Sequence, residues 1–286
     1  MNRALAAWRR FWYAPISPAP FALFRQAFAW TMLIYFIAWA RNADEWLTAA
    51  GYHPSAAVDP VNAPQLPLLP EAALWIAGVA FFGCLLAYIF GFARHVLAWV
   101  LLGASIYALQ VDPISAFTIN RLFVIGWFVI AIAPDPDPDD GQIAWPTRCL
   151  QLLLVTQYAA SGLCKTINGD WWGGEDVLWM QVQGIYMTDA AAWMVRTLPH
   201  AVWRVQQEIA LWFELLAPIL LAWPRLRPLA FVIGLGLHAI VAITMDQLIY
   251  FSLQMACFYL LFLPPEWAQK LTPEADRTAA RWCDSE

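Results

Sequence analysis

The chain has 286 residues, 61% hydrophobic and 13% charged, with a net charge of −5. Soluble domains hold about half apolar and about a quarter charged residues, so this composition describes an integral membrane protein. No basic run is present, which excludes nucleic acid as a partner. The five cysteines (84, 149, 164, 257, 283) show neither C-x-x-C nor zinc spacing, so no metal is expected. Four of them lie in or beside apolar helices, where cysteine is a small hydrophobe. Cys149 and Cys164 stand about 22 Å apart on one expected helix and cannot pair.

The N-terminal segment 1–20 carries Arg3, Arg9 and Arg10 with Trp8, Phe11 and Trp12, and then Pro15, Pro18 and Pro20. It lacks the short apolar core and cleavage site of a signal peptide and suits a helix lying in the membrane interface. Eight apolar segments follow, at roughly 21–40, 72–90, 96–111, 115–133, 149–165, 204–223, 228–245 and 247–263. The expected fold is an all-α membrane bundle of about eight transmembrane helices with amphipathic interfacial helices, forming one domain over 21–265 and ending in a cytoplasmic tail, 266–286. Several segments fall short of the roughly 20 residues a span needs, so tilt or local thinning is expected. Many of the 18 tryptophans cluster at the ends of the apolar runs, as in an aromatic belt.

Lysine and arginine set the orientation. With the N-terminus inside, eleven of the 16 cationic side chains are cytoplasmic and five (Arg41, Arg121, Lys165, Arg196, Arg204) are outside. This places Lys165 at the outer end of the fifth segment. The outer segments 41–71 and 166–203 are long; the first is rich in proline, the second in tryptophan. Together they are expected to roof a cavity floored by Lys165.

Polar groups inside the bundle are the candidate site. On the fifth segment Gln151, Tyr158, Ser161 and Lys165 fall near one helical face, with Gln157 beside them. A stripe of hydrogen-bonding groups is poorly suited to face lipid. Asn120 and Arg121 open the fourth segment, Glu214 sits mid-helix before Pro218, His238 lies in the seventh segment and Asp246 ends it. Each also has a structural explanation. Lys165 at a helix end can snorkel to the headgroups, His238 can bridge helices beside Gly234, and Glu208 can pair with Arg204 four residues earlier. Glu214 is the hardest to explain by packing, because a mid-helix carboxylate needs a partner; Arg121, Lys165 and His238 are the available ones. A lysine acts as a base only when deprotonated. Arg121 nearby would favour that state and a carboxylate would oppose it. Sequence alone does not decide between these neighbours.

The pattern Tyr158-x-x-Ser-Gly-x-x-Lys165-(x)5-Trp171-x-Gly173 resembles the HTTM family, the transmembrane domain shared with vitamin K-dependent gamma-glutamyl carboxylase. Phe21-Ala-Leu-Phe-Arg25, Gly51-Tyr-His-Pro54, Gly91-Phe-Ala-Arg94, Glu214-Leu-Leu-x-Pro218 and Leu237-His238 followed by Phe251 resemble other family landmarks, and the match runs over roughly 15–265. The resemblance implies Lys165 as the base that deprotonates a reduced quinone of the menaquinone or vitamin K type. Arg121, Glu214 and His238 join it as catalytic candidates, with Asn120, Gln157, Tyr158, Ser161, Asp170 and Trp171 as substrate-binding ones. It also implies a bacterial inner membrane. Arg121 stands where the carboxylase has a histidine, and the carboxylase's large extramembrane domain has no counterpart here; both weigh against glutamate carboxylation. Three roles therefore stay open: quinone-linked chemistry on a lipid or peptide substrate, a non-catalytic partner that binds or matures an exported peptide, and a lipid or quinone carrier.

Overall fold

The computed structural model describes residues 3–114, 116–137, 141–169, 171–172 and 176–272. Within them, helices occupy all eight expected segments. Five are long and apolar enough to cross a membrane: Ala19–Leu47, Glu71–Ile89, Arg94–Val111, His200–Ala222 and Arg227–Thr244. The expected number of eight spans is therefore not reached on length and apolarity alone. The fourth and eighth segments form shorter helices, and the fifth, at 24 residues, is long enough but carries too many polar groups.

The chain forms two compact units, one of residues 1–146 with 265–286, the other of residues 147–264. In the first unit, α1 (Arg3–Tyr13) buries no residue, and Leu5, Trp8, Phe11 and Tyr13 are exposed. It is followed by α2 (Ala19–Trp39), α3 (Ala43–Leu47), α4 (Glu71–Ile89), α5 (Arg94–Val111) and α6 (Thr118–Ile132). Strands β1 (Pro15–Ile16) and β2 (Gln142–Ile143) form a minimal antiparallel ladder. Pro20 sits in the first turn of α2, where a missing N–H costs nothing. The α4–α5 turn needs left-handed backbone at Gly91 and Ala93. Two long side chains fasten it: Gln26 donates to the Ile89 carbonyl and Arg94 to that of Tyr88.

The core of this unit is aromatic. Phe28 packs against Phe24, Phe123 and Trp127, Tyr88 lies edge-on to Trp127, and the Trp127 indole N–H points at the Met32 sulfur. In hydrocarbon such rings gain by dispersion rather than by leaving water, so fit decides the energy. Gly126 makes that fit, since a Cβ there would run into the Phe28 ring. Asn120 is also buried here and accepts from the Tyr35 hydroxyl, which gives it a packing role. Arg121 is exposed on α6. The tail contributes α13 (Pro265–Leu271), which packs on α2.

The second unit contains α7 (Trp145–Asn168, from Thr147 onward), α8 (Val177–Gln181), α9 (Asp189–Thr197), α10 (His200–Ala222), α11 (Arg227–Thr244) and α12 (Leu248–Tyr259). The short helices are tied to the long ones. Thr188 caps α9 and donates to the Ile243 carbonyl, and Val182, Trp203 and Met245 form a small buried cluster beneath α8 and α9.

Gly126→Val is expected to lower stability by about 1–3 kcal/mol through overpacking against Phe28. Gly103→Val, at a glycine with open space around it, should cost much less. Thermal unfolding in detergent compares the two.

Candidate functional site

α7 and α10 touch at their backbones. A Cβ on Gly162 would lie 2.9 Å from the Leu215 nitrogen and 3.1 Å from the Glu214 carbonyl carbon. Only a residue without a side chain allows that approach. One turn further along α7, Lys165 reaches across, and its Nζ lies 2.6 Å from Glu214 Oε1. The side chains are 20% and 15% exposed, so the pair is neither surface nor core. Glu214 Oε2 is buried and has no hydrogen-bond partner among the described residues. The face of Trp171 covers the ammonium, 4.1 Å from Nζ to the ring centroid. Pro218 sits four residues after Glu214 in α10 and brings no N–H, so the Glu214 carbonyl lacks its usual helical donor.

Of the two neighbours weighed for Lys165, the structure shows the carboxylate. This changes the chemistry open to the lysine. While the pair is intact, its nitrogen is occupied and does not act as a free base. Arg121 belongs to the first unit.

Behind the pair lies a chain of polar groups. The Tyr158 hydroxyl is 2.8 Å from His238 Nε2 and 2.8 Å from the Tyr259 hydroxyl. Phe213 stands edge-on to Tyr158, Phe251 to His238 and Phe231 to Tyr259. Gly234 makes room, because a Cβ there would collide with the Tyr259 hydroxyl. Phe213 also lines an apolar groove along α10 and α11, with Ile209, Leu216, Leu220, Leu229 and Ile233.

The segment carrying Trp171 is held by one stripe of α10. His200, Arg204, Gln207, Leu211 and Glu214 recur at spacings of three and four, so they share a face. His200 and Arg204 both bind the Asp176 carboxylate, at 3.0 Å each. Gln207 is buried, accepts from the Leu178 N–H and donates to the Trp171 carbonyl. Trp172 donates to the Thr166 carbonyl and lies edge-on to Trp212. The expected Arg204–Glu208 pair is not made, because Arg204 turns to Asp176 instead.

The remaining candidates are dispersed. Gln151 donates to the Leu261 carbonyl and accepts from Arg148, a structural role. Gln157 and Ser161 are half-buried on α7. Asp170, Gly173 and Cys283 lie outside the described residues. The other four cysteines form no disulfide. Among the described residues, no three His, Cys, Asp or Glu side chains group as metal ligands. Sequence reasoning missed Tyr259 and Gln207 as members of the site. The signal for Gln207 was its place three residues after Arg204 and seven before Glu214, on the Glu214 face.

No protein-family model, no curated protein and no solved structure matches the chain.

Lys165→Met leaves the Glu214 charge without its partner and is expected to cost about 1–3 kcal/mol, between the values for surface and buried pairs. The double variant Lys165→Met/Glu214→Leu should recover most of that loss, as read by thermal unfolding. Arg204, and after it His200, hold the Asp176 carboxyl below the usual carboxylate range. A depressed folded-state pKa contributes stability above the unfolded value of about 4 and loses it as pH falls through the folded value. Protection of the 177–182 amides, their exchange relative to the intrinsic rate at the same pH, should therefore fall at acid pH in the wild type, and be lower already at neutral pH in Asp176→Asn.

Proposed function

We propose that the second unit carries a membrane-embedded acid–base site acting on a lipid-soluble substrate, with the Lys165–Glu214 pair at its centre. One observation carries this reading: an ion pair that keeps one carboxylate oxygen, Glu214 Oε2, buried and without a partner among the described residues. A buried acceptor is costly unless something donates to it. A substrate hydroxyl is such a donor. Glu214 takes the proton through Oε2, and the Lys165 ammonium balances the negative charge left on the substrate oxygen. The lysine thus works as an electrostatic partner, and the carboxylate is the base. Trp171 limits water at the ammonium.

The substrate class rests on the resemblance to the HTTM family in Tyr158-x-x-Ser-Gly-x-x-Lys165 and on the chemistry of the donor set. The residues suit a reduced quinone of the menaquinone type. Glu214 Oε2 accepts from a phenolic hydroxyl, and Trp171 and Tyr158 offer ring faces. The apolar groove that shares Phe213 with this cluster suits an isoprenoid tail. When bound, a reduced quinone supplies two electrons toward oxygen. In this reading all eight apolar helices cross a bacterial inner membrane, with the N-terminus inside and Lys165 toward the outer face. The excess of cationic residues in the inner loops supports that orientation.

The test uses the protein in nanodiscs with reduced menaquinone and oxygen, with epoxide followed by mass spectrometry. Wild type should form epoxide, and Lys165→Met and Glu214→Gln should each lose at least about 100-fold, the low end for a positioned acid–base group. No epoxide from correctly inserted wild type would sink the quinone reading.

A further inference from the structure

The groove along α10 and α11 carries charge at one end only. Arg204 and Glu208 line that end, one helical turn apart, and the rest of its lining is apolar, from Phe213, Leu216 and Leu220 on α10 to Ile233 on α11. Leu220 lies about 18 Å further along α10 than Glu208, at about 1.5 Å of rise per residue. The hydrocarbon of one leaflet is about 15 Å deep, half of a bilayer core of about 30 Å. The groove therefore runs the depth of one leaflet from a charged end, the shape of an acyl chain below its headgroup. Its volume of about 470 Å³ suits a ligand rather than a packing defect. The charges at the upper end are unbalanced. Arg204 bonds the Asp176 carboxylate through Nε at 3.0 Å, and these two offset each other. Glu208 does not receive Arg204 and stays half-buried at the groove. A ligand matched to this end brings an ammonium for Glu208 and, close beside it, an anion for the half-exposed Arg204 guanidinium. A phosphoethanolamine head has both, a primary ammonium joined by a short link to a phosphate diester. A quaternary ammonium brings charge but no N–H, and a glycerol head brings no cation.

We propose that this groove is a binding site for a phospholipid of the surrounding bilayer with a phosphoethanolamine head. One acyl chain lies between α10 and α11, the ammonium sits on Glu208 and the phosphate at Arg204. The inference stands on the groove and its charges, not on the acid–base reading. It meets that reading at one point: an isoprenoid tail would use the same apolar wall, so the lipid and the tail exclude each other.

The experiment places the full-length protein in nanodiscs of phosphatidylethanolamine, phosphatidylcholine and phosphatidylglycerol in equal parts, with the same acyl chains. Native mass spectrometry then counts the lipid each protein retains on release. Wild type should retain phosphatidylethanolamine about fivefold over either of the others, the worth of a partly exposed ion pair. Glu208→Gln should still retain lipid but lose that preference. Ile233→Trp and Leu220→Trp fill the groove at different points and should each retain less phosphatidylethanolamine; thermal unfolding shows which of the two stays folded. Equal retention of the three lipids by wild type overturns the proposal. So does a preference that survives in Glu208→Gln, or in a folded groove-filling variant. Epoxide formation is measured separately in the same discs. Epoxide without lipid selectivity sinks the groove assignment alone, and selectivity without epoxide sinks the quinone reading alone.

Discussion

A charged pair placed among apolar helices constrains everything near it. Either charge alone is costly in such surroundings, and their mutual attraction offsets the cost only if the two helices come close enough for a direct bond. Gly162 supplies that closeness. The backbones of α7 and α10 meet there, and the pair forms one turn away on α7. A larger residue at 162 would separate the helices and leave two desolvated charges facing each other across a gap.

The same helix, α10, also organises the covering segment. Its stripe from His200 to Glu214 contacts Asp176, Leu178, the Trp171 backbone and Lys165 in sequence, so one helical face sets both the floor and the cover of the site. Positioning Trp171 over the ammonium is thus not independent of positioning Glu214. A change that rotates α10 moves both together.

Much of the architecture was legible because long apolar runs fold as helices: each expected segment is helical among the described residues, though only five are long and apolar enough to cross a membrane. The polar stripe on the fifth segment was legible too, through spacing alone. What spacing could not supply was the partner across the interface. Arg121, His238 and Lys165 were all available to Glu214, since a small residue such as Gly162 marks where a neighbouring backbone can come close but not which helix it belongs to. Tyr259 escaped notice because it sits in an apolar run, where an aromatic reads as packing. The Arg204–Glu208 pair failed for a related reason: a local rule worth a few tenths of a kcal/mol gave way to a carboxylate 28 residues away that bonds both His200 and Arg204.

Pro218 has a mechanical consequence. Where a proline interrupts the ladder of an α-helix, the segment before it and the segment after it bend against each other with less resistance than an unbroken rod. Glu214 sits at that joint. Flexing α10 there shortens or lengthens the reach between carboxylate and ammonium, so a shape change of the helix becomes a change in electrostatic coupling.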